Sequence, residues 1–90
     1  MQIIDNRADI TGTVQTSEED GAVLQVLIDE ALPVDGFPHL AGDAVGQVVI
    51  INVPRPDAHD ALPGTRVRCR VRKTGVDRYA AMPGEMKMQT

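Results

Sequence analysis

Apolar and polar residues alternate along most of this chain, which is the period of β-strands with one face on a core. The pattern predicts five strands, at about residues 8–16, 22–29, 44–53, 65–73 and 76–82. Ile10, Gly12 and Val14 alternate with Asp9, Thr11, Thr13 and Gln15 in the first, and Gly12 within it marks a bulge or bend. The second, with Val23, Leu24, Val26, Leu27 and Ile28, is apolar on both sides and is expected to be covered on both for part of its length. Ser17 to Gly21 is an acidic turn between them. Residues 30–42 hold Pro33, Gly36, Pro38 and Gly42 and form the longest loop. The third strand centres on Val48 to Ile51 and is closed by Pro54 and Pro56. Asp57 to Leu62 fits one or two helical turns with Asp57 as N-cap, stopped by Pro63-Gly64. A turn at Thr74-Gly75 joins strands four and five, and Pro83-Gly84 ends the last, leaving a flexible tail at 85–90.

The fourth strand is unusual. Thr65 to Lys73 alternates strictly, so Val67, Cys69 and Val71 face one way and Arg66, Arg68, Arg70 and Arg72 the other. The arginines stand about 6.6 Å apart and repel one another unless something negative lies along them. Pairing with strand five across the Thr74-Gly75 turn sets Arg72 opposite Asp77, Arg70 opposite Tyr79 and Arg68 opposite Ala81 on the outer face. Val71, Cys69 and Val67 then meet Arg78, Ala80 and Met82.

Five strands, a long loop between two and three and a short helix between three and four give an all-β, five-stranded Greek-key OB-fold barrel as the expected fold, a single domain over residues 1–90. The core is aliphatic, since Phe37 and Tyr79 are the sole aromatics. The net charge of −4 hides a polarity. Residues 1–62 hold eleven acids and two arginines, −9, and residues 63–90 hold seven cations and two acids, +5. Cys69, the one cysteine, excludes an internal disulfide and fits a reducing compartment. With no long apolar run, the chain reads as cytoplasmic, with no membrane partner.

Three segments, Ile10 to Val14, Val23 to Val53 and Leu62 to Val71, resemble the bacterial single-stranded-DNA-binding protein family and its relative primosomal replication protein B. The resemblance implies an OB-fold that binds nucleic acid, often as a dimer or higher oligomer.

From the residues themselves, the outer face of strands four and five carries the chemistry of a single-strand groove: cations follow phosphates and a ring stacks a base. The candidate nucleic-acid contacts are Arg66, Arg68, Arg70, Arg72, Lys73, Arg78 and Tyr79, with Phe37 and Arg55 as outlying members. Single-stranded DNA or RNA is the expected partner. Three alternatives stay open: the row docks an acidic partner protein or the acidic half of an identical subunit as a dimer; it pairs with acids of its own chain; or Arg70 lies over Tyr79 as a cation–π pair. Phe37 serves either as a second stacking ring or as a plug on the barrel end. Catalytic, cofactor and metal roles find no complete set of residues: Asp57, His59 and Asp60 are explained by capping and a solvated turn, Ser17 has no elbow motif around it, and Cys69 points inward.

Overall fold

A computed structural model describes residues 5–89. The strands are β1 (Ala8–Glu18), β2 (Val23–Pro33), β3 (Val48–Asn52), β4 (Arg66–Gly75) and β5 (Arg78–Gln89). They close into a barrel in the order β1-β2-β3-β5-β4, with β1 returning to β4. All neighbours are antiparallel except β3 and β5. The chain is therefore an all-β, five-stranded barrel of OB type, as the alternation predicts.

Closure requires a bend in β1, and Gly12 supplies it. The β1–β2 register slips between Thr11 and Gly12. A Cβ there would collide with the Leu27 carbonyl oxygen and lie 2.6 Å from Val26 Cγ1. Inside the barrel Ile10, Val14, Leu24, Val26, Ile28, Val49, Ile51, Val67 and Val71 are almost wholly excluded from solvent. Cys69 joins them, 2% exposed, on the inward side assigned to it by the alternation.

Two ends of the barrel are closed by loops instead of helices. The β2–β3 loop folds back, with the Gly46 amide donating to the Ile28 carbonyl (2.8 Å) and the Ile28 amide to Gln47 (3.0 Å), and it inserts Ala41 and Ala44 into the core. Ala44 thus ends a 3-10 turn (Gly42–Ala44) and residues 45–47 are turn and bend, so β3 begins at Val48. The predicted helix over Asp57–Leu62 is a single 3-10 turn at Arg55–Asp57. Asp57 does not cap it. Its Oδ2 instead accepts a hydrogen bond from the Gly84 amide of β5 (2.8 Å).

The largest departure lies in β5. The hairpin turn falls at Val76-Asp77, with Asp77 in the left-handed region (φ 54) and Gly75 opposite Arg78. The pairs are Lys73↔Tyr79, Arg72↔Ala80 and Val71↔Ala81. The expected register differs from these by an odd number of residues, and such a slip turns every side chain to the other face. Tyr79 and Ala81 therefore point into the core while Ala80 faces out. Nor does Pro83-Gly84 end the strand. Between Ala81 and Met86 four residues bulge opposite Arg70 alone, and the strand then resumes with Met86↔Cys69, Lys87↔Arg68, Met88↔Val67 and Gln89↔Arg66. The expected flexible tail is, over residues 85–89, a wall of the barrel.

Candidate nucleic-acid interface

The arginine row faces outward along β4 as predicted, but its members differ in what they touch. Arg66 is tied to the Asp29 carboxylate of β2 and to Thr13 Oγ1 of β1 (3.0 Å). Arg70 makes a two-pronged contact with Asp9 of β1, Nε to Oδ1 at 2.9 Å and Nη2 to Oδ2 at 3.3 Å. That hydrogen bond, with the Asp9 charge behind it and Glu85 adding to it, raises the Arg70 pKa further above its ordinary value. Acids from the first part of the chain thus neutralise alternate members of the row.

Arg68 lies between these two pairs, with Thr11 beside it on β1 and Lys87 on β5. Among the described residues Arg68 and Lys87 make no ion pair, although like charges directly opposed across strands repel. They share a shallow cleft of about 230 Å³ with Asp9, Cys69, Arg70 and Glu85. Arg72 stands opposite Ala80, which in turn lies beside Asn52 of β3. Arg78 lies beside Ile50, and Ile50 beside Gln25 of β2. An outward band therefore leads from Arg72 and Arg78 across a low floor of Ala80 and Asn52 to the outer face of β2 and β3, the strands over which OB-type barrels take ligands. On this chain that face presents Gln25, Leu27, Val48 and Ile50. Lys73 borders a second cleft, about 390 Å³, with His39, Leu40, Gly42 and Asp43.

The aromatic residues do not join this surface. Tyr79 is 3% exposed and is a core residue; burial, then the Asp77 and Asp43 charges, push its hydroxyl pKa up. It is not a stacking platform, and no Arg70–Tyr79 cation–π pair forms. Among the described residues the cation–π pair is Arg7 over Phe37, 4.2 Å from the ring centroid. The Arg7 amide also donates to the Pro38 carbonyl (3.3 Å), so Phe37 anchors the long loop to the start of β1. Arg55 reaches the Glu19 carbonyl (3.5 Å), linking two turns away from the row. Of the Asp57, His59 and Asp60 group, Asp57 holds Gly84, and Asp60 is within 3.5 Å of the Ser17 hydroxyl.

Two contributors escape sequence reading. Asn6 is 3% exposed, and its side chain accepts from the Lys73 amide (2.7 Å) and donates to the Lys73 carbonyl (3.2 Å), clamping β4 where its pairing with β5 turns irregular. Lys87 falls in the segment expected as a tail and is part of β5. No family model matches the chain, and no curated protein or solved structure shows significant similarity to it. Among the described residues, no helix is long and apolar enough to cross a membrane.

Proposed function

We propose that this protein binds single-stranded nucleic acid, without catalysis, through the outer face of the β4–β5 hairpin. One observation carries the reading. Of nine cations, Arg7, Arg55, Arg66 and Arg70 are each engaged within the chain, on Phe37, Glu19, Asp29 and Asp9. The other five, Arg68, Arg72, Lys73, Arg78 and Lys87, make no ion pair among the described residues; four of them lie on the outer face of the hairpin, and Lys73, opposite the inward Tyr79, lies at the barrel end beside His39 and Asp43. Cations concentrated on one surface of an otherwise acidic protein make a local positive field that a polyanion meets before it meets the net charge. The band from Arg72 and Arg78 to Ile50 gives bases a shallow apolar floor beside that field. The resemblance of residues 10–71 to the single-stranded-DNA-binding group supports the same reading.

Affinity here comes from phosphate contacts and falls with salt by counterion release. Fluorescence anisotropy with a labelled oligonucleotide at about 50 mM and about 200 mM salt tests it. Arg68→Ala with Arg72→Ala is expected to weaken binding and flatten the salt slope by about one to two. Arg66→Ala with Arg70→Ala, which removes cations already paired, is expected to do less. Absence of binding at the lower salt refutes the reading. A second reading, an acidic protein partner, is favoured by the Asp9 and Asp29 contacts, in which the row already accepts carboxylates. It predicts binding to an acidic polypeptide but not to the oligonucleotide.

A further inference from the structure

β5 carries an open edge. Its pairing with β3 ends at Ala80, and from Met86 to Gln89 it is bonded to β4 alone. Beside this stretch lies a cleft of about 580 Å³, walled by Pro56, Asp57, His59, Asp60, Ala61 and Leu62 of the β3–β4 loop and by Met86 and Met88 of the strand. Leu62 is 80% exposed there. Unpaired backbone groups on a strand edge are a template for another strand. The end of β2, which β3 does not reach, is blunted by Asp29, Glu30 and Pro33. The β5 edge has no proline after Pro83, and its two charges are of opposite sign.

We propose that the occupant of this edge is β5 of a second copy, paired antiparallel about a two-fold axis centred on Met86. The charge pattern selects the register. A two-fold normal to the sheet pairs the central residue with itself and keeps inner and outer faces in place. Centred on Glu85 or on Lys87, it opposes like charges. Centred on Met86, it sets Glu85 of each copy against Lys87 of the other, both on the outer face, and Met86 against Met86 on the inner. Met88 then falls opposite Gly84, whose amide is held by Asp57 of its own copy, so the pairing across the axis rests on Glu85 to Lys87. Lys87, which faces Arg68 within its own copy, gains a carboxylate on its other side.

This inference does not rest on nucleic-acid binding. Sedimentation velocity over about 5 to 500 µM at low salt is expected to show a concentration-dependent dimer. Glu85→Lys and Lys87→Glu singly each place like charges across the axis twice, and each is expected to raise the dimer Kd about tenfold or more. The double exchange restores opposite pairing and returns Kd to within about threefold of native, while leaving the charge of the face unchanged. Both positions are exposed, so the fold is retained. The native chain gives a second readout: amide exchange at residues 86–88 slows as concentration rises. A monomer throughout, a dimer indifferent to both single changes, a failure of the double exchange to rescue, or concentration-independent exchange overturns the proposal.

Discussion

Asn6 is the residue whose replacement separates a docked β1 from a loose one. Its amide makes two hydrogen bonds to one backbone unit, accepting from the Lys73 amide at 2.7 Å and donating to the Lys73 carbonyl at 3.2 Å, at a site 3% exposed. Asn6→Ala removes both. Each neutral hydrogen bond contributes about 1 kcal/mol net, and a backbone group left without its partner adds part of a desolvation penalty of about 1–3 kcal/mol. Lys73 is only half-buried, so water recovers some of that, and the total comes to roughly 2–3 kcal/mol. For a domain of this size each kcal/mol moves Tm by about 4–8 °C, giving a drop of roughly 10–20 °C. Asn6→Asp sharpens the test. Its carboxylate keeps the acceptor for the Lys73 amide but turns a lone pair toward the Lys73 carbonyl, which disfavours ionisation in the folded state and raises that pKa above the unfolded value of about 3.9. A raised acid pKa means the folded chain holds the proton longer. The variant's deficit is therefore smallest below pH about 4 and grows as pH rises through the folded pKa. Thermal unfolding followed by circular dichroism over a pH series checks both variants. An Asn6→Ala shift under about 3 °C, or an Asn6→Asp deficit that does not change with pH, refutes the clamp.

Two further outcomes follow from the core. The Cys69 thiol, pushed up to about 12 by burial and then by the Asp9 charge, stays protonated when the unfolded thiol, near 9, has ionised. Stability is accordingly expected to fall as pH rises above 9, and a thiol reagent at pH 8 is expected to label Cys69 at the rate of global opening and not faster. Gly12→Ala drives a methyl group into the Leu27 carbonyl and Val26, both parts of a paired strand, and is expected to destabilise by about 2 kcal/mol or more; a denaturant midpoint equal to the native one would contradict the crowding.

The alternation is sufficient for the inward set Val67, Cys69 and Val71, for the outward arginines and for the existence of five strands, because each depends on period alone, while the OB order follows from the spacing of the segments between them. What it missed depends on turn chemistry and on long-range contacts. Thr74-Gly75 reads as the hairpin because glycine is the usual residue of a tight turn, whereas Asp77 takes the left-handed conformation and moves the turn two residues on. That displacement, with the irregularity between Lys73 and Gly75, inverted Tyr79. Pro83-Gly84 signals a stop in an isolated strand, but a bulge absorbs both residues here, and so Lys87 was lost from the basic face. The partners of Arg66 and Arg70 lie 37 and 61 positions away in sequence, distances at which no local pattern identifies a pair.

Those two pairs also provide the means of testing the whole charge argument. If the hairpin follows phosphates, Asp9 competes with the ligand for Arg70. Asp9→Asn removes a charge from the rim and frees a guanidinium already aligned with Arg68 and Arg72, so it is expected to tighten oligonucleotide binding and steepen the salt slope by about one. The loss of stability is small, because both side chains of the pair are partly exposed and water screens their attraction. Glu18→Gln, at the end of β1, changes the net charge equally without releasing an arginine, and it separates the local effect from the general field. Equal gains from the two variants would assign the attraction to net charge. No gain from Asp9→Asn would mean that the row is occupied by its own chain and that the ligand approaches by Arg72 and Arg78 alone.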